Sequence, residues 1–360
     1  MRLFDEHCFV DCASRLRSLS NSAFGRTGYV DRLAHAVEIQ RWDLLNGEFD
    51  EGGFIGQTGH CLLLGPYTRG RRRRRETRLS GLAGHCLFDE SELDLSRVST
   101  KLFGRAPHAT NRILGVVHFS SSGLLGGIHG EAFIVPSGWA FGRSGVGPAI
   151  NLLIEQHHRM TEGMRRLSDL FEADSHEWLW QYATGLTHGI VRRNLEFQFH
   201  ENGHATGIGF RSKSDIGFFD KFENCGVEEW RSDGVSFQLA LDYGDPDIAN
   251  SVAAACIALR FGVDARRDGG VGRDHDALAA ALMLSDMLES GAVRIASDGK
   301  LVIENRSHAK LSDIVFAQAD KAVKLTRLEN DIALEKLDGL YRTIQPAEAA
   351  VQIVNRLGMN

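Results

Sequence analysis

The residues His200-Glu201-Asn202-Gly203-His204 form an H-E-x-x-H. On a helix, residues four apart share a face, so the two imidazoles reach one zinc ion while Glu201 borders the same spot and reaches a water there. A catalytic zinc site takes three protein ligands and leaves a fourth position for water, whose pKa falls to about 7. A third ligand is therefore required. The stretch Glu228-Glu229-Trp230-Arg231-Ser232-Asp233 begins 24 residues after His204. Glu229 and Asp233 are one helical turn apart, so Glu229 can complete the ligand set and Asp233 can accept the free N–H of a ligand histidine. Glu228 lies about 100° around the helix from Glu229 and competes for the ligand role. The E-x-x-x-D spacing favours Glu229 and leaves Glu228 supporting the ligands. The expected cofactor is one Zn2+ per chain. Gly203 sits awkwardly in this motif, since glycine weakens a helix interior by about 1 kcal/mol.

Other residues of suitable chemistry are less well placed. His157 and His158 are neighbours on a predicted helix and read as surface or packing residues. His188 lies twelve positions before His200 on one predicted helix, about 18 Å away, and reads as packing. His129 and Glu131 stand in the glycine-rich stretch GGIHGEAF, which no spacing ties to the zinc motif. TGHCLLL and AGHCLFD form a small internal echo, offering His60-Cys61 and His85-Cys86. Adjacent residues seldom ligate one metal together, and no C-x2-C pair accompanies them. Arg69, Arg71 to Arg75 and Arg78 make a basic burst able to hold phosphates, but without interleaved aromatics it reads as a solvated loop. No phosphate-loop signature follows the glycines near 123–127, which disfavours a nucleotide site.

The elements that must position these residues follow from hydrophobic periodicity. Helices are predicted over 149–172 (through Leu152, Leu153, Met160, Met164, Leu167 and Phe171), 177–206, 227–242, 247–262 and 275–290. A last helix runs from Ser312 to about Tyr341 with Leu325, Leu328, Ile332 and Leu337 as its buried stripe. Hairpins are predicted over 112–148 and 293–304. The expected fold class is mainly α with a minor β part (α+β): a zincin-like helical catalytic domain in which a glutamate helix follows the H-E-x-x-H helix. The expected organisation is an N-terminal region of irregular pattern (1–110), a catalytic domain (111–345) and a C-terminal tail (346–360).

Composition narrows the function classes. The 360 residues carry 41 basic and 47 acidic side chains, net −6, which argues against nucleic acid as a partner of the whole surface. Six scattered cysteines are too few for a disulfide scaffold and read as reduced thiols. No run of about 18 apolar residues occurs, and charges interrupt the first residues, so neither a membrane span nor a signal peptide is expected. A cytoplasmic location is the corresponding expectation.

The pairing of H-E-N-G-H-A-T-G with E-E-W-R-S-D resembles the zinc motifs of the dipeptidyl peptidase III family, glutamate zincins that pair H-E-x-x-G-H with E-E-C-R-A-E. The stretch from His275 through Leu288-Glu289-Ser290-Gly291 resembles that family's helix beginning with histidine and ending in L-E-x-G before a strand. The resemblance spans roughly residues 180–305. It implies His200, His204 and Glu229 as zinc ligands, Glu201 as general base and His275 as the group that stabilises the oxyanion. It departs from the family in a histidine spacing one residue shorter, in Asp233 where the family has Glu, and in a chain about half as long. The function expected is a zinc-dependent metallohydrolase, a metallopeptidase acting on a peptide or other amide substrate. The alternatives are a zinc hydrolase or tailoring enzyme acting on a non-peptide amide, and a nucleic-acid or partner-binding protein using Arg69 to Arg78.

Overall fold

The computed structural model describes residues 53–55, 59–66, 79–88, 95–104, 113–121, 133–134, 149–184, 195–204, 206–208, 213, 216–267, 269–304, 306 and 311–358. The chain divides into two compact units, 1–93 with 111–156, and 94–110 with 157–360.

The first unit contains a six-stranded sheet. β1 (Gly53–Ile55), β2 (Gly59–Pro66), β3 (Leu79–Phe88) and β4 (Ile113–Ser121) run antiparallel in sequence order. The echoed segments pair with each other as β2 and β3, with His60 opposite His85. Among the described residues of 112–148, where a hairpin is expected, β4 and β5 (Phe133–Ile134) do not pair with each other. β6 (Ala149–Leu152) lies between β4, to which it is parallel, and β5, to which it is antiparallel. The four-residue run Ala149–Leu152, which the sequence places at the start of a helix, is a strand instead: a short apolar run fits either period, and sheet pairing decides.

The second unit is helical: α1 (Leu95–Phe103), α2 (Leu153–Arg166, which begins just before the division), α3 (Ala173–Thr184), α4 (Leu195–His204), α5 (Phe222–Tyr243), α6 (Pro246–Gly262), α7 (His275–Glu289), α8 (Leu311–Asp331), α9 (Leu337–Tyr341) and α10 (Glu348–Leu357). One hairpin, β7 (Val293–Ile295) with β8 (Leu301–Ile303), joins them. The fold class is thus mainly α with a minor β part, as expected.

α5 is the central rod, packed by α4, α6, α7 and α8. It buries Val227, Trp230, Val235, Phe237 and Leu239 together with Glu228, Arg231, Ser232 and Asp233. Helices approach it closely where a side chain is missing: a Cβ on Gly234 would lie 2.5 Å from the Ala322 Cβ of α8. α6 starts at Pro246, with the Asp245 carboxylate accepting from Asp247 N at 2.9 Å, the expected N-cap pattern. Residues 246–266 are long and apolar enough on average to cross a membrane, but Asp247, Arg260, Asp264 and Arg266 interrupt the segment, and most of it is buried among neighbouring helices.

Several boundaries differ from expectation. Described helices at 173–184 and 195–204 stand where one helix over 177–206 was predicted. The Ser312–Tyr341 helix is α8, a 3-10 turn at 334–336 and α9. Within its stripe Leu325 and Leu337 are buried, but Leu328 is 49% exposed, because the helix face toward α5 runs through Val315, Ala319, Ala322 and Thr326 instead. Residues 346–360 are not a tail: α10 buries Ala350, Ile353, Val354 and Leu357 and packs on α7. The split expected at 110 falls otherwise because β4, β5 and β6 share the sheet with β1 to β3, whereas α1 packs on α5 and α8. There Lys101 Nζ lies 3.5 Å from Asp242, and Arg327 donates to the Leu102 carbonyl at 3.0 Å. Arg69 to Arg78, His129, Glu131 and His188 lie outside the described residues.

Candidate metal centre

α4 ends on the H-E-x-x-H, and α5 crosses it carrying the three acids. The crossing depends on Gly203, where a Cβ would stand 2.6 Å from both the carbonyl and the hydroxyl oxygen of Ser232. Ser232 uses that hydroxyl to donate to the His200 carbonyl. The glycine that weakens the helix locally is therefore what lets the two helices touch.

At this crossing three ligand-type side chains converge. His200 Nε2 and His204 Nε2 are 3.1 Å apart. Glu229 Oε2 lies 3.2 Å from His200 Nε2, and Glu229 Oε1 lies 3.7 Å from His204 Nε2. Zinc–nitrogen and zinc–carboxylate bonds of about 2.0–2.2 Å in tetrahedral geometry place ligand atoms about 3.3–3.5 Å apart. The observed separations bracket that value, so the donor set fits zinc. Both histidines turn their other nitrogen to a carboxylate of α5: His200 Nδ1 is 2.8 Å from Asp233 Oδ1, and His204 Nδ1 is 3.0 Å from Glu228 Oε1. With Nδ1–H donating to a carboxylate, each ring presents an Nε2 lone pair to the shared point, the usual support of a metal-binding histidine. Adjacent Glu228 and Glu229 thus serve opposite sides of His204.

The electrostatics keep the acids ionised. Burial would raise the carboxyls of Glu228, Glu229 and Asp233, but neighbouring charges outweigh it and hold all three below the usual carboxylate range. For Glu228 the opposing groups are Arg231, Lys213 and His204; for Glu229, the two histidines and Arg260; for Asp233, Arg260 and His200. Burial would lower the His200 imidazole, but hydrogen bonds to Asp233 and Glu229 and their charges raise it well above the usual histidine value. Glu229 is the most open of the acids, its side chain 24% exposed against 5% for Glu228 and 0% for Asp233. It is the carboxylate on the accessible side of the crossing.

Two further placements matter. Glu201 lies on α4 between the histidines, and its side chain is outside the described residues. His275 opens α7 with its side chain 44% exposed, 3.7 Å from Asp276. Among the described residues it makes no ion pair with the His200–His204–Glu229 cluster; Asp276 is linked to that cluster through Arg260.

Sequence reasoning missed the cations that surround these acids. Arg231 Nη2 donates to Glu228 Oε1 at 2.6 Å and its Nε lies 3.3 Å from Glu329, while Lys213 Nζ lies 2.6 Å from Glu228 and 3.2 Å from Glu329. Tyr341 donates to Glu228 at 2.7 Å and also meets Glu329. Arg260 is wedged among Glu229, Asp233, Asp264 and Asp276. Its one signal in the sequence is a lone cation inside the apolar run Cys256-Ile-Ala-Leu-Arg-Phe261. Glu196, one helical turn before His200, is buried, and burial pushes its carboxyl up to about 7.

A family model described as a family of unknown function, DUF6014, matches residues 12–211. The chain belongs to this family. The match takes in the H-E-x-x-H of this DUF6014 protein and stops before α5. No curated protein matches its sequence. Among solved structures, DPP III from Caldithrix abyssi is similar over 95% of this chain, with a TM-score of 0.58 and 14% identity. Dipeptidyl-peptidase III from Corallococcus sp. strain EGB is similar over 96% of this chain, with a TM-score of 0.52 and 15% identity. At such identity the likeness is one of fold. The DUF6014 chain spans 66% of the length of either structure, more than the half expected.

Proposed function

We propose that this DUF6014 protein is a zinc-dependent hydrolase that cleaves peptide bonds. The convergence of His200 Nε2, His204 Nε2 and Glu229, each histidine backed by a carboxylate on Nδ1, carries the proposal. Likeness in fold to two dipeptidyl-peptidases favours peptide over other amides. His200, His204 and Glu229 would hold the ion. When bound, zinc acts as a Lewis acid toward a carbonyl and lowers the pKa of water to about 7. Asp233 and Glu228 fix the tautomers and angles of the two rings. Glu201 takes the proton of the attacking water and passes it to the leaving amine. His275 donates toward the oxygen of the tetrahedral intermediate, the role implied by its match to the family histidine.

The test is cleavage of a broad peptide library, read by mass spectrometry, with zinc-loaded wild type beside Glu201→Gln. The wild type is expected to cleave, and Glu201→Gln to retain zinc without turnover. Wild-type turnover in Glu201→Gln would remove the assigned base. Failure of zinc-loaded wild type to cleave any peptide would overturn the peptide reading in favour of a non-peptide amide.

A further inference from the structure

Arg260 is buried on α6 with every N–H of its guanidinium engaged by a carboxylate. Nε donates to Asp233 Oδ2 at 2.7 Å; Nη2 donates to Asp233 Oδ1 at 3.1 Å and to Glu229 Oε2 at 3.0 Å. Nη1 donates to Asp276 Oδ1 at 2.8 Å and to Asp264 Oδ2 at 3.4 Å. One planar fork therefore grips the acid beside the two Nε2 atoms, the acid behind His200, and the first turn of α7 next to His275.

We propose that Arg260 is the positioning residue of the metal centre: it sets the orientation of Glu229 and Asp233 and ties that pair to the turn that carries His275. The inference rests on the zinc reading above. Glu229 and Asp233 lie one turn apart on the same face and repel each other, and nothing on α5 itself separates them. A guanidinium placed between them offsets that repulsion and, being rigid, dictates the plane of each carboxylate. Holding Glu229 Oε2 leaves its carboxylate edge toward both histidines without lost side-chain freedom on ion binding. A lysine at 260 would keep the charge but lose the fork, since an ammonium is a point donor without the planar bidentate geometry that fixes the carboxylate planes.

The distinguishing experiment uses the full chain, with zinc affinity measured by competition against a chelator and the visible spectrum of the cobalt(II)-loaded protein read alongside. Arg260→Lys is expected to bind one metal ion per chain with an affinity about 10–100-fold lower, the usual cost of a lost supporting contact, and with a changed cobalt spectrum. Asp276→Asn, which touches neither Glu229 nor Asp233, loosens the fork from the α7 side and is expected to give a smaller loss of affinity and a smaller spectral change. Wild-type affinity and spectrum in Arg260→Lys would overturn the proposal. Should Arg260→Lys fail to fold, an unchanged affinity and spectrum in Asp276→Asn would overturn it equally. Wild-type protein that binds no zinc or cobalt would instead refute the zinc reading itself, so the two failures are separable.

Discussion

Gly203 of α4 and Ser232 of α5 touch so closely that no side chain fits between them, a Cβ on Gly203 meeting Ser232 oxygens at 2.6 Å. One of those oxygens is backbone carbonyl and cannot rotate away. Gly203→Ala therefore sets a gain of about 1 kcal/mol in helix propensity against an overpacking cost of about 1–3 kcal/mol. The clash is expected to win, with a lower melting temperature and weaker zinc retention after dialysis. An alanine variant as stable as wild type would show that the helices separate without cost.

Zinc content should sort the two adjacent glutamates. His204→Ala and Glu229→Ala are expected to lose the ion, because each removes one of three ligands. Glu228→Gln should keep one ion per chain with affinity reduced about 10–100-fold, since it supports His204 through Nδ1 rather than facing the shared point. Elemental analysis of the dialysed variants decides. A full complement in Glu229→Ala would transfer the ligand role to Glu228.

Arg231 and Lys213 neutralise Glu228 and Glu329 inside the protein, all four side chains being 5% exposed or less. Arg231→Met leaves a buried carboxylate underpaired, a defect that costs about 3–5 kcal/mol. Denaturant unfolding should register a loss of this size, largely relieved in the double variant Arg231→Met, Glu329→Gln. Equal stability of single variant and wild type would mean that Lys213 and Tyr341 suffice.

Asp286 supplies a pH signature away from the metal centre. It accepts from Trp230 Nε1 at 2.7 Å and Lys321 Nζ at 2.8 Å, yet burial raises its carboxyl above the usual value. A carboxyl raised in the folded state holds its proton more tightly there than in the unfolded chain. Its contribution to stability is complete below the unfolded pKa and is lost as pH rises through the folded one. Melting temperatures of Asp286→Asn minus wild type should therefore become more positive as pH rises above the ordinary aspartate pKa of about 4. A constant difference would contradict the shift.

What was legible in the sequence is what the helical repeat encodes locally. His200 with His204, and Glu229 with Asp233, each lie four apart, so their shared faces could be read from spacing alone, and α5, α6 and α7 follow their periodicity closely. Arg260, Lys213, Glu329 and Tyr341 could not be read this way. Apart from Asp264, four residues after Arg260, their partners lie 12 to 128 residues distant, and only packing brings them together. The short segment at 149–152 failed because an apolar run of that length suits strand and helix alike. The break between α8 and α9 failed because no glycine or proline marks residues 332–336. Leu328, expected inside, is exposed because α8 presents a different stripe, one that includes the polar Gln318, Thr326 and Glu329, to its neighbours.

α5 delivers Glu228 to one side of His204, Glu229 to the other and Asp233 behind His200. All three deliveries depend on one uninterrupted helical phase. A single inserted or deleted residue upstream in α5, unless absorbed locally, would turn the three acids together by about 100° relative to α4. Length variation within this protein's relatives should accordingly collect in the connections around α5 and spare the rod itself, whereas substitutions that keep the phase, such as Glu for Asp at 233, can be accommodated one at a time.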